Sequence, residues 1–140
     1  MQKMTTEYII QDEKELDDVV FDLTVGDRVF FYGDLGAGKS TYIRHILRKY
    51  LDDPALIVRS PTYTYYQRYW ENIYHFDLYR IEDHSTLISI GWGEILEDKN
   101  TIVLIEWPEI LGDSIKATKK ISIEVMENGR RRVRVEVLIQ

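Results

Sequence analysis

The sequence predicts an α/β fold in three layers, with a central, mostly parallel sheet and a C-terminal β-hairpin. Three stretches carry that expectation. Residues 29–32, Val-Phe-Phe-Tyr, form an apolar strand that runs straight into a glycine-rich loop and an amphipathic helix. Residues 101–105, Thr-Ile-Val-Leu-Ile, make a continuous apolar run typical of a strand covered on both faces. The tail alternates apolar and polar residues on either side of Asn128-Gly129, a type I′ turn signal.

Taken in order, Glu7 to Ile10 reads as a short strand. Residues 12–23 read as an acidic helix with Leu16, Val19, Val20 and Leu23 on one face, and Asp12 and Glu15 stand at capping-box spacing. Gly26-Asp27 turns the chain into the apolar strand. The helix after the loop carries Ile43, Ile46, Leu47, Tyr50 and Leu51 on one side and Arg44, His45, Arg48 and Lys49 on the other. Asp52-Asp53-Pro54 stops it near Leu51. Tyr63 to Tyr69 and Ile73 to Asp77 read as strands around Trp70-Glu71-Asn72, from their aromatic and β-branched content. Residues 81–90 and 94–98 read as helical, interrupted by Gly91-Trp92-Gly93. The run 101–105 ends at Glu106. In the tail, Ile121, Ile123 and Val125 alternate before the turn, and Val133, Val135, Val137 and Ile139 after it. There is no internal repeat, low-complexity tract or linker, so residues 1–140 read as a single domain.

At 140 residues the chain can bury a real core. It has no apolar run of 18 or more residues and no basic-then-apolar signal region, so a soluble cytoplasmic protein with no membrane contact is expected. Without cysteine it has no disulfide framework and no thiolate metal site. A net charge of −6 argues against a general nucleic-acid surface. The charge is uneven. Residues 12–22 are strongly acidic, while 116–134 hold Lys116, Lys119, Lys120, Arg130, Arg131, Arg132 and Arg134. Such runs are either solvated faces or, for the basic one, a surface for phosphates or an acidic partner.

The loop at 33–40, Gly33-Asp-Leu-Gly-Ala-Gly-Lys39-Ser40, is a Walker A pattern between strand and helix. It makes the expected fold a P-loop NTPase-like three-layer one. Glycines at 33, 36 and 38 let the backbone take positive φ and approach a phosphate chain. Successive N–H groups then form an anion nest at a helix N-terminus. Lys39 would reach the β- and γ-phosphates, and the Ser40 hydroxyl would ligate Mg²⁺.

Such a site needs a carboxylate at the end of a second central strand, and Glu106 stands there. Glu106 could instead be an ordinary strand-end acid. Asp77 ends another strand run; it could orient the attacking water, sit beyond the metal's own ligands, or cap the turn into Leu78-Tyr79-Arg80. Thr62 lies where P-loop proteins place a loop that senses the γ-phosphate, and Pro61 stiffens its approach. Arg80 and Arg130–Arg132 are the available cations for transition-state charge. His75, taken alone, reads as structural.

Gly33-Asp-Leu-Gly-Ala-Gly-Lys-Ser-Thr41, Ser60-Pro-Thr-Tyr63, His75-Phe-Asp-Leu-Tyr-Arg80 and Glu106-Trp-Pro-Glu109 occur in this order across nearly the whole chain. Together they resemble the bacterial TsaE (YjeE) family, the ATPase component of the machinery that forms threonylcarbamoyladenosine in tRNA. Gly91-Trp-Gly-Glu94 and Gly129-Arg130 also look like family positions.

The resemblance implies a small P-loop domain that binds ATP and Mg²⁺, hydrolyses slowly alone and associates with TsaD-like and TsaB-like proteins. That pair modifies N6 of adenosine 37 in tRNAs reading ANN codons, so tRNA is reached only indirectly. By motif, Gly36, Ala37, Gly38, Lys39, Ser40 and Thr41 would bind ATP phosphates. Ser40 and Glu106 would bind Mg²⁺, and Asp77 would be the essential acid. Glu13 and Arg130 look similar to the remaining nucleotide contacts. Ser40 replaces the commoner threonine but keeps the hydroxyl, and Tyr63-Thr-Tyr-Tyr66 is more aromatic than the usual pattern.

Three other readings stay open. A small-molecule kinase needs an arginine-bearing lid, and no such insertion is evident between Asp77 and Glu106. A GTPase would carry an Asn-Lys-x-Asp motif, which is absent. A nucleotide-binding adaptor without turnover looks the same in sequence.

Overall fold

A computed structural model describes residues 2–19, 21–59, 61 and 64–139. Seven strands form one sheet: β1 (Gln2–Ile10), β2 (Arg28–Tyr32), β3 (Tyr66–Tyr69), β4 (Ile73–Asp77), β5 (Ile102–Glu106), β6 (Lys119–Val125) and β7 (Arg131–Ile139). Their spatial order is β1-β7-β6-β2-β5-β4-β3. The four strands β6-β2-β5-β4 run parallel to one another. The pairs β1·β7, β6·β7 and β3·β4 are antiparallel. The mostly parallel centre is as expected. The C-terminal hairpin is not an appendage: β6 lies directly beside β2, and β7 carries the sheet onward to β1.

Side-chain alternation along β2 and β5 builds one core on each face of the sheet. Val29, Phe31, Ile102 and Leu104 pack with Ile43, Ile46 and Leu47 of helix α1 (Lys39–Tyr50). Phe30, Val103 and Ile105 face the opposite way, toward Leu87 of α2 (His84–Ser89) and Trp92, Ile95 and Leu96 of α3 (Trp92–Glu97). Helix, sheet and helix give the three layers. No helix among the described residues is long and apolar enough to cross a membrane.

Several elements depart from their expected bounds. β1 begins at Gln2, not Glu7, because β7 offers nine paired positions to a segment with no apolar alternation of its own. The acidic helix shrinks to a 3₁₀ segment, Glu13–Asp18, and Val19 is already extended. Its last turn has no basic residue. Asp17 and Asp18 lie there at the negative end of the helix dipole, and a β-branched residue follows. Asp12 caps as expected, accepting the Glu15 N–H at 3.3 Å, while the Glu15 carboxylate reaches one residue beyond the cap and accepts the Gln11 N–H at 2.7 Å. Val20 lies outside the described residues. β3 starts at Tyr66 instead of Tyr63. The first of the two short helices starts at His84 and ends at Ser89, the break is Ile90 and Gly91, the latter at φ 77°, and Trp92 and Gly93 open α3. At the tail, Asn128 and Gly129 both have positive φ, 67° and 76°, as the turn signal requires.

Candidate nucleotide-binding site

β2 delivers the chain to the glycine loop with its backbone tight against the sheet. Gly33 has φ 155°, and a Cβ there would lie 2.8 Å from the Ile123 carbonyl oxygen of β6. Gly38, at φ 109°, is the N-cap of α1 and offers no side chain to the first helical N–H groups. A Cβ on Gly36, at φ 79°, would meet nothing within 4 Å. The loop is thus pinned below and open above, where N–H groups and the positive helix end face outward.

That loop separates two clefts. The first, about 400 Å³, lies over the C-terminal ends of β4 and β5, between Gly36–Thr41 and the group Asp77, Tyr79, Arg80, Glu106 and Trp107. The second, about 240 Å³, lies on the other side of the loop against Asp12, Glu13 and Leu16. Gly36, Ala37, Gly38 and Thr41 line both.

The register of β4 against β5 sets Asp77 beside Glu106, and both are buried at 6% and 3% exposure. Ser40, in the first turn of α1, donates its hydroxyl to Glu106 Oε2 at 2.9 Å. The two expected metal-binding residues are therefore in contact. Among the described residues no group of three or more His, Cys, Asp or Glu is placed to hold a metal. One hydroxyl and one carboxylate fit Mg²⁺, which keeps most of its shell as water and substrate phosphate. Asp77 accepts the Tyr79 N–H at 3.0 Å, which is the turn-capping role. The same carboxylate also lies close enough to raise the Lys39 ammonium's affinity for its proton.

Lys39 is only 5% exposed. Its ammonium donates to the Gly33 carbonyl oxygen and sits 3.6 Å from the centre of the Trp107 ring. Burial lowers its pKa from 10.5, while Glu106, Asp77, Glu109 and Asp34 pull the other way. Trp107 is the functional residue that sequence reading missed. It has left-handed backbone (φ 57°, ψ 56°), packs against Tyr79 with ring centres 4.8 Å apart and planes tilted by 48°, and lies beneath the lysine ammonium. A tryptophan directly after the strand-end carboxylate was the available signal. Taken alone His75 reads as structural, yet in the fold its Nε2 lies 2.6 Å from Glu106 Oε2.

Glu13 borders the second cleft. Its carboxylate pairs with Arg44 and lies 3.2 Å from His45 Nε2. The bond from His45 is the main reason its pKa falls below 4.5; desolvation opposes it and Arg44 adds to it. Arg130 is exposed at the hairpin turn. The arginine against the loop is its neighbour Arg131, whose Nε donates to the Ala37 carbonyl at 2.7 Å. Thr62 lies outside the described residues, as do Ser60 and Tyr63.

A glycine nest at a helix N-terminus, a buried lysine within it and a hydroxyl–carboxylate pair joining the helix start to a strand end define a P-loop nucleotide-binding protein. The sequence matches the family described as threonylcarbamoyl adenosine biosynthesis protein TsaE over residues 8–134, and the chain belongs to that family. It is similar to the tRNA threonylcarbamoyladenosine biosynthesis protein TsaE of Rickettsia typhi, 38% identical over 77 residues, which are 53% of each chain. The protein of that name in Rickettsia bellii is 31% identical over 103 residues, 69% of this chain and 71% of that one. The chain spans about half the length of the first of these relatives. Its fold is that of the crystal structure of Bacillus subtilis YdiB, with a TM-score of 0.72 over 99% of this chain and 89% of that one, at 19% identity.

Proposed function

We propose that the chain is a Mg²⁺-dependent ATP-binding protein with slow ATPase activity. In this reading it acts with TsaD-like and TsaB-like proteins in forming threonylcarbamoyladenosine at position 37 of tRNAs reading ANN codons. The observation that carries the reading is the Ser40–Glu106 bond at 2.9 Å, set at the mouth of the glycine nest. A plain anion-binding loop has no need of that pair.

Backbone N–H groups of Gly36 to Thr41 would hold the phosphates. Lys39 would exchange the Gly33 carbonyl for the β- and γ-phosphates, with the Trp107 ring keeping water from its other side. Adenosine would lie in the second cleft beside Glu13, with Arg131 fixing the loop at Ala37 and Arg130 at the exposed turn nearby. Ser40 and Glu106 would hold Mg²⁺, which when bound neutralises charge on the transferred phosphoryl group. Asp77 would orient the attacking water, and Arg80, on the cleft wall, would meet transition-state charge. Thr62 remains a candidate for sensing the γ-phosphate. The net charge of −6 favours tRNA contact through the partners, not directly, and a cytoplasmic location follows from the pathway.

The test is Mg²⁺–ATP hydrolysis by the purified protein, alone and with TsaD and TsaB from the same organism. A low basal rate that rises with the pair supports the reading. Bound ATP with no rise favours an adaptor without turnover. Phosphate transfer to a small acceptor would favour a kinase.

A further inference from the structure

We propose that His75 is a positioning residue for the metal-binding carboxylate, aiming Glu106 by occupying one of its two oxygens. The inference rests on the Mg²⁺ reading of Ser40 and Glu106. His75 lies on β4 opposite Leu104 of β5, one pleat below the Asp77–Glu106 level. It is fully buried. A carboxylate only accepts, so the 2.6 Å contact from Nε2 to Oε2 requires the proton on Nε2. The Ser40 hydroxyl donates to the same oxygen at 2.9 Å. With two donors on Oε2, Oε1 is the oxygen left to face the cleft and a cation's shell.

The other ring nitrogen argues against a purely structural histidine. Nδ1 is buried with no hydrogen-bond partner among the described residues, which is unfavourable. An apolar side chain would fill this position without leaving an orphan, so the Nε2–H bond to Glu106 is what a histidine adds. Nor can His75 act as a base on water: one nitrogen is committed to Glu106 and the other is sealed in the core. Partners of this kind, behind a metal ligand, typically carry ~10–100-fold in metal affinity.

The test is a titration of Mn²⁺ in the presence of ATP, followed by electron paramagnetic resonance, on wild type, His75→Phe and His75→Gln. Metal-free ATP affinity is measured alongside. His75→Phe is expected to bind Mn²⁺ about ten-fold more weakly while holding metal-free ATP within about two-fold of wild type. His75→Gln, whose amide N–H reaches a similar place, is expected to recover most of the loss. In the wild-type protein, long-range ¹H–¹⁵N correlations of the ring are expected to show Nε2–H. Equal Mn²⁺ affinity in wild type and His75→Phe, no recovery in His75→Gln, or an Nδ1–H ring each overturns the inference. A wild-type protein that binds no Mn²⁺ with ATP overturns the Mg²⁺ reading beneath it, a separable result. Should His75→Phe fail to fold, the ring correlations of the wild type decide.

Discussion

Lys39 shows how much of the site's chemistry depends on burial. Its ammonium has given up water for one carbonyl and one indole face, and desolvation lowers its pKa against the pull of four carboxylates. The native protein therefore releases this proton before the unfolded chain does. Stability contributed through Lys39 rises with pH between the lowered value and 10.5, while phosphate binding, which needs the ammonium, weakens over the same window. ATP affinity is expected to fall in wild type as pH rises toward 10.5, and to stay flatter in Lys39→Arg, whose side chain remains charged. Calorimetric titrations across that range check it. Glu106→Ala is expected to keep ATP bound without Mg²⁺ and to lose hydrolysis by ~10²-fold or more; normal turnover would shift the metal role to Asp77. Residues 33–41 were legible in sequence because a phosphate nest is contiguous. His75 and Trp107 were not, because their meaning lies in contacts with Glu106 and Lys39 across 31 and 68 positions. The hairpin shows the same limit: that Arg131 reaches the Ala37 carbonyl is a contact across 94 positions, which the sequence does not display.

Among the elements, the joint between β2 and α1 is the most constrained. β6 approaches so closely that a side chain on Gly33 would strike the Ile123 carbonyl at 2.8 Å, and its φ of 155° already disfavours one. Gly33→Ala is expected to lower stability by about 1–3 kcal/mol and to weaken ATP binding, because the loop cannot shift without breaking the β2·β6 pairing. Thermal melts with and without ATP measure both effects. Gly36→Ala has open space around its Cβ and is strained only by its left-handed backbone, so it is expected to lose less stability than Gly33→Ala. Strands with their own apolar pattern, β2 and β5, were found where expected. β1 has its reach set from outside, by pairing along β7, and the 3₁₀ segment ends early because Asp17 and Asp18 stand at its negative end with β-branched Val19 after them.

Across the whole molecule, the parallel centre brings the C-terminal ends of β2, β4 and β5 together, so that the glycine loop, Asp77 and Glu106 border one cleft. The loop stands between two clefts, so one ligand can set its phosphates over the loop and reach to either side. Family and fold were legible because four motifs keep their order over most of the chain. The shape of the second cleft was not, since it is made by the 3₁₀ segment and Arg131 meeting the loop from opposite ends of the sequence. The central claim is that ATP is held through its phosphates on the 36–41 nest with Lys39 as the cation. Calorimetric titration of ATP with Mg²⁺ into wild type and Lys39→Ala tests it most directly. A saturable wild-type isotherm, weakened at least ~10-fold in Lys39→Ala, is the expected result. Equal affinity in the two proteins would place the nucleotide somewhere else and contradict the account.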